Sequence, residues 1–170
     1  MNEENRKKRN AARLMELHPT FRARIEKAIA SLEAKGFRPR IQDAWRSPEK
    51  QKKAFESGHS QLLFGFHNVT ALDGAPDALA VDLIDDDSPL KPSKKYLLHL
   101  AASAEAEGLV TGIRWGLPEE LAAGIDASIA AQDWNADVKI GWDAWHVQPT
   151  DITVEQAKAG LRPEQAEQVV

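Results

Sequence analysis

Phe66-His67-Asn68-Val69-Thr70-Ala71-Leu72-Asp73-Gly74-Ala75-Pro76-Asp77-Ala78-Leu79-Ala80-Val81-Asp82-Leu83-Ile84 runs from a polar loop into a nearly unbroken apolar segment. No clean period holds between His59 and Pro76, and Gly65, Gly74 and Pro76 punctuate that span as a loop. From Ala78 to Ile84 only Asp82 is polar, the pattern of a strand buried on both faces. A carboxylate in the middle of such a strand needs a partner, because an unpaired buried charge is very costly. A salt bridge to Arg40, Arg46 or Arg114 would meet that need, and so would a metal ion. His67 leaves the loop upstream, and His146 closes Trp142-Asp143-Ala144-Trp145-His146 far downstream. Two imidazoles and one carboxylate are a sufficient set for a catalytic zinc with one coordination position left for water. Taken singly, His67 also reads as a loop histidine and His146 as a hydrogen-bonded core residue. No HExxH or similar short motif decides between these readings.

The composition frames the choice. A chain of 170 residues fits one domain with a real core. Its 42% hydrophobic and 28% charged residues are ordinary for a globular protein, and no apolar run is long enough to span a bilayer. The charged start, Met1 to Arg9, has no apolar stretch behind it, which argues against a secretory signal. Without cysteine there are no disulfides and no thiolate ligands, so a zinc site must use nitrogen and oxygen, and the compartment stays open. The net charge of −4 hides an asymmetry. Residues 1–60 carry 15 Lys/Arg against 8 Asp/Glu, or +7; residues 61–170 carry 7 against 18, or −11. The basic half reads either as an attraction to an anionic polymer or as a solvated helical face. The acidic half argues against nucleic acid as a partner.

Along the chain, a polar helix docks through Leu14, Met15 and Leu17 and breaks at His18-Pro19-Thr20, with Thr20 as N-cap of the next helix. There Phe21, Ile25, Ala28, Ile29 and Leu32 make one apolar stripe, and Gly36 closes it. Arg38 to Trp45 reads as a short strand, and Ser47-Pro48-Glu49 starts a helix that ends near Gly58. Asp85-Asp86-Asp87 takes the central strand out into solvent. Ser93 caps a helix carrying Leu97, Leu100, Ala101 and Ala104 and finishing at Gly108. Val110 to Trp115 reads as a strand, and Pro118 opens a helix with Leu121, Ile125 and Ile129. Val138 to Val147 reads as a last strand pair or bent strand, before a short polar helix from Thr153. These elements predict an α+β class with a small, mainly antiparallel sheet packed with several helices, as a single domain over residues 1–170 with its core at about 20–150. In a regular strand Asp143 and His146 would face opposite sides, so joint service of one site demands a bend or bulge at Ala144–Trp145, eased by Gly141. His59 and His99 read as structural or exposed, and Trp45, Trp115, Trp142 and Trp145 as core, with one of them able to floor a cleft.

Four segments together resemble the metallopeptidase family of D-alanyl-D-alanine carboxypeptidases, vancomycin-resistance D,D-dipeptidases and phage L-alanyl-D-glutamate endolysins. Ala44-Trp45-Arg46-Ser47-Pro48-Glu49-Lys50-Gln51 is similar to the family's Arg-Ser-x-x-x-Gln, and Phe66-His67-Asn68 to its Ser-x-His. Ala78-Leu79-Ala80-Val81-Asp82 is similar to Gly-x-Ala-x-Asp, and Asp143-Ala144-Trp145-His146 to Glu/Asp-x-x-His. The stretch from Asp133-Trp134-Asn135 to Lys139-Ile140-Gly141-Trp142-Asp143 also looks like a phage endolysin subgroup. The resemblance implies a hedgehog/D,D-peptidase-like fold and one zinc per chain bound by His67, Asp82 and His146. It implies Asp143 as general base and Arg46 steadying the substrate carbonyl, with Gln51, Ser47 and Trp145 as supporting or substrate-facing residues. Its substrate would be a peptidoglycan stem peptide, cut most naturally at the L-alanyl-D-glutamate bond. A D,D-carboxypeptidase and a non-catalytic zinc-containing wall-binding module are the alternatives. A monomer without stable membrane insertion, made in the cytoplasm and acting on the wall after release, completes the expectation. The chain departs from the family pattern in three places. Gly65 and Ala78 replace a serine and a glycine, and fourteen residues separate His67 from Asp82, an insertion of Val69 to Asp77 that a surface loop can absorb.

Overall fold

The structure, a computed structural model, describes residues 1–164. Its centre is a four-stranded antiparallel sheet in which β2 (Val81–Asp85) lies between β1 (Pro39–Asp43) and β4 (His146–Pro149), with β3 (Leu109–Thr111) beyond β4. Val81, Leu83 and Ile84 are buried, as the unbroken apolar run requires. The strand begins later than the run does. Ala78 and Leu79 are buried too, but their amides bond the Glu16 and Phe66 carbonyls rather than a neighbouring strand. The register slips between Ile41 and Asp43, which sets Asp43 opposite Asp82.

Helix α1 (Glu3–Leu14) covers the outer edge of β1, and it does so with polar groups. The amide of buried Asn10 takes the Ile41 N–H (2.9 Å) and donates to the Pro39 carbonyl (2.9 Å), while buried Arg6 donates to that same carbonyl at 2.7 Å. Leu17 is fully buried as expected, but Met15 is 68% exposed and does not dock. In α2 (Pro19–Ala34) the stripe from Phe21 to Leu32 faces the core. Its N-cap is His18 rather than Thr20, because Pro19 supplies the fixed φ of the first helical position. Helix α3 (Pro48–Glu56) starts at Ser47, whose Oγ accepts the Lys50 N–H at 3.2 Å. Helix α4 (Lys94–Glu105), capped by Ser93, packs Leu97, Leu98, Leu100, Ala101 and Ala104 into the core.

Three expectations fail for local reasons. Asp85 and Asp86 are buried rather than solvated: Asp86 pairs with Arg40 at 2.9 Å and with Arg38 at 3.2 Å. The expected strand from Val110 to Trp115 stops at Thr111 and becomes a 3-10 turn over Gly112–Arg114. The expected strand from Val138 is irregular until His146, since Gly141 and Trp142 donate to the carbonyls of Ile113 and Trp115 (2.7 and 3.0 Å) instead of to a strand. Helix α5 (Glu119–Ala130) buries Ile125 fully and leaves Leu121 42% exposed. The tail forms α6 (Val154–Lys158) under a Thr153 capping box; the remainder of the expected tail, residues 165–170, lies outside the described residues.

Candidate metal centre

Asp82 and His146 are direct partners across β2 and β4, so their side chains leave the same face of the sheet. His67 reaches that face from a 3-10 turn, Phe66–Asn68, which is stitched in place on both sides. Its carbonyl accepts the Arg46 N–H (2.8 Å), Asn68 Nδ2 donates to the Arg46 carbonyl (2.9 Å), and the Phe66 carbonyl accepts from Leu79 (3.0 Å). His67 Nε2 then lies 3.5 Å and His146 Nδ1 3.4 Å from the same oxygen, Asp82 Oδ1. One ligand atom from each of the three residues falls within 4.8 Å of the others.

The far side of each ring fixes which nitrogen it offers. His67 Nδ1 is 2.6 Å from the Ala44 carbonyl, which only accepts, so Nδ1 carries the proton and Nε2 presents its lone pair. His146 Nε2 lies 2.9 Å from Gln148 Oε1, which assigns the proton there and leaves the Nδ1 lone pair facing Asp82. Asp82 Oδ1 is buried with no hydrogen-bond partner among the described residues. Two lone pairs therefore converge on an anionic oxygen at distances too long for good hydrogen bonds. Only a proton on a ring or a shared cation relieves this, and two imidazoles with a carboxylate, each ring backed by an acceptor, fit a divalent metal.

The arginine alternative for Asp82 fails in the structure. Arg40 pairs with Asp86, Arg46 with Asp43, and Arg114 with Glu105 and Asp126. Without a metal the three groups bias one another. Burial alone would lower His67, but the Asp82 carboxylate beside it wins and raises it. Burial would raise Asp82, and the two imidazoles instead hold it far below the ordinary carboxylate range.

Asp143 joins the cluster from the turn before β4, its Oδ2 3.9 Å from His146 Nδ1. The bend required between them lies at Asp143 itself, whose φ of +59° is a left-handed conformation that aspartate tolerates. Gly141 assists by lacking a Cβ, which would come within 2.6 Å of the Trp115 backbone; it does not use positive φ. Burial, chiefly, pushes the Asp143 carboxyl up.

Arg46 is braced rather than loose. One terminal nitrogen donates to Asp43 Oδ2 at 2.6 Å and the other to Gln51 Oε1 at 2.9 Å. Gln51 is buried and anchored through Nε2 to Ser60 Oγ and the Leu62 carbonyl (2.8 and 2.5 Å), so it orients the arginine. Ser47 is a helix cap, and half-buried Trp145 packs on the core while its carbonyl accepts from Leu83. Trp115 lies 5.4 Å from the His146 ring and 5.4 Å from Trp142, which is 65% exposed and not core as expected. His59 is exposed, and His99 is buried against Trp134. Three contributors were missed in the sequence: Asp43, the Ala44 carbonyl and Gln148. Gln148 was findable, since it stands two residues from His146 on the same strand face. Asp43 was not, because the register slip that aims it is invisible in composition.

No family model and no curated protein matches the chain. Solved structures do. The Serratia marcescens L-Ala D-Glu endopeptidase ChiX superposes with a TM-score of 0.53 over 84% of this chain and 86% of its own, at 19% identity. The LdcB LD-carboxypeptidase matches at a TM-score of 0.46, 20% identity and 85% and 72% coverage. The vancomycin-resistance D,D-pentapeptidase VanY, solved with Zn(II), matches at 0.44, 13% identity and 84% and 76% coverage. The fold shared with ChiX agrees with the α+β architecture, a small antiparallel sheet packed with helices, expected from the sequence.

Proposed function

We propose that this chain is a zinc-dependent peptidase that hydrolyses peptidoglycan stem peptides at the L-alanyl-D-glutamate bond. The observation that carries the reading is the convergence of the His67 and His146 lone pairs on an unpartnered Asp82 oxygen. The fold shared with an L-Ala D-Glu endopeptidase supports the choice of bond, as does the motif resemblance to phage endolysins. His67, Asp82 and His146 would hold one zinc, whose chemistry when bound would be to lower the pKa of a water to about 7 and to polarise the scissile carbonyl. Asp143 serves as general base: its carboxylate takes a proton from the attacking water and returns it to the leaving amine. Arg46, fixed by Asp43 and Gln51, offers a preorganised positive charge to the developing oxyanion. The protein works as a monomer on the cell wall after release from the cytoplasm. The Asp143→Ala variant keeps one zinc per chain and loses wall digestion by at least about a hundredfold. Digestion at the wild-type rate would remove Asp143 from the mechanism, and a purified wild-type protein that takes up no zinc would remove the metal centre.

A further inference from the structure

The insertion between His67 and Asp82 folds back on itself. Asp77 N–H bonds the Val69 carbonyl (3.1 Å), Ala71 N–H bonds the Ala75 carbonyl (2.9 Å), and Thr70 bridges Pro76. The result is a small hairpin with Leu72 fully exposed at its tip. Its base is gripped from the far end of the chain. Arg162 donates from Nε to Asp77 Oδ2 at 2.6 Å and from a terminal nitrogen to the Thr70 carbonyl at 2.9 Å, and so holds both arms. Its other terminal nitrogen bonds the carbonyls of Ala157 and Leu161 (3.0 and 2.7 Å), tying the guanidinium to the end of α6. The Arg162 and Asp77 side chains are only 19% and 14% exposed, so this pair is shielded rather than a loose surface contact. On the other flank of His67, Lys158 sits 5.5 Å over the ring of Phe64. The segment from Lys158 to Arg162 thus touches the chain three residues before His67 and three residues after it.

We infer that Arg162 is a positioning residue for the metal centre: by clamping both arms of the insertion it keeps the turn carrying His67 in register with Asp82 and His146. The inference rests on the zinc reading above. A long excursion between two ligands leaves the first free to wander unless its base is closed, and each unfixed degree of freedom is lost again on metal binding. The Asp77–Val69 backbone bond closes the base of the hairpin, and Arg162 adds a second, side-chain closure across both arms. The bidentate reach to a carboxylate and a carbonyl is particular to the guanidinium fork.

The test is zinc affinity of the full chain, measured by competition with a chromophoric chelator, together with limited proteolysis of the zinc-free protein. Arg162→Met weakens zinc binding about tenfold, in the range seen when supporting partners of ligands are removed. It also speeds cleavage of zinc-free protein within Ala71–Gly74, while Arg162→Lys restores part of the affinity. Asp77→Asn, which keeps the shape and removes the charge, gives an intermediate loss and serves if Arg162→Met does not fold. Wild-type zinc affinity in either folded variant overturns the inference alone. A wild-type protein that binds no zinc overturns the metal centre and this inference with it.

Discussion

Ala44 and Gln148 decide what the two histidines can do, although neither was singled out as a site residue in the sequence. Each accepts a hydrogen bond from the outer nitrogen of its ring and so turns the other nitrogen toward Asp82. Gln148→Leu removes that acceptor for His146 and should weaken zinc binding by about ten- to a hundredfold while the fold persists, as a chelator titration would show. Protons compete for the same lone pairs. His67 has a folded value above its unfolded one of about 6.5, so it adds stability at low pH that is lost as pH rises through the folded value. Asp82 has a folded value below its unfolded one, so its contribution is present above about 3.8 and lost as pH falls toward the folded value. Zinc-free protein should therefore be most stable between about pH 3.8 and 6.5 and weaken as pH rises beyond that, whereas zinc-loaded protein should not weaken there. Urea denaturation at stepped pH, with and without chelator, checks both limbs. A chelated protein whose stability is flat from pH 5 to 8 would contradict the pairing.

At the scale of elements, the site depends on where two expected strands stop. Gly112 begins the 3-10 turn after β3, and a Cβ there would lie 2.3 Å from the Asp143 carbonyl oxygen. A Cβ at Gly141 would lie 2.6 Å from the backbone of Trp115. These two glycines let the Asp143 turn nest against the end of β3, and that turn brings Asp143 and His146 to one side. Gly112→Ala should cost about 1–3 kcal/mol by overpacking and should reduce both zinc affinity and hydrolysis, measured by thermal denaturation and metal titration. Alanine tolerated at Gly112 without change would mean the turn is not held this way. This is also where the sequence was least legible. The apolar run through Val81 declared β2 because burial on both faces leaves a compositional mark. The irregular segment from Val138 to Trp145 is also mostly apolar, five residues in eight, yet Gly141 and Trp142 give their amides to a facing turn. Only the required bend between Asp143 and His146 could be deduced, and it falls one residue earlier than expected, at Asp143 itself.

Across the whole molecule, the helices and the antiparallel sheet followed from periodicity, caps and breakers, each a local signal. The site did not, because its parts come from the segment after β1, a 3-10 turn, β2 and β4, and their convergence is a product of strand order. The charge asymmetry also resolves at this scale. Much of the basic half is engaged within the fold: Arg6 and Arg9 bond carbonyls of β1, Arg38 and Arg40 pair with Asp86, and Arg24 pairs with Asp151. Those arginines are structural clamps; under the proposed function a wall peptide would be read at the cluster of His67, Asp82, Asp143 and His146 instead. Mass spectrometry of purified peptidoglycan, incubated with zinc-loaded protein and with chelated protein, tests the central claim most directly. The account predicts fragments bearing a new N-terminal D-glutamate from the zinc-loaded protein and none after chelation; intact stem peptides in the presence of bound zinc would contradict it.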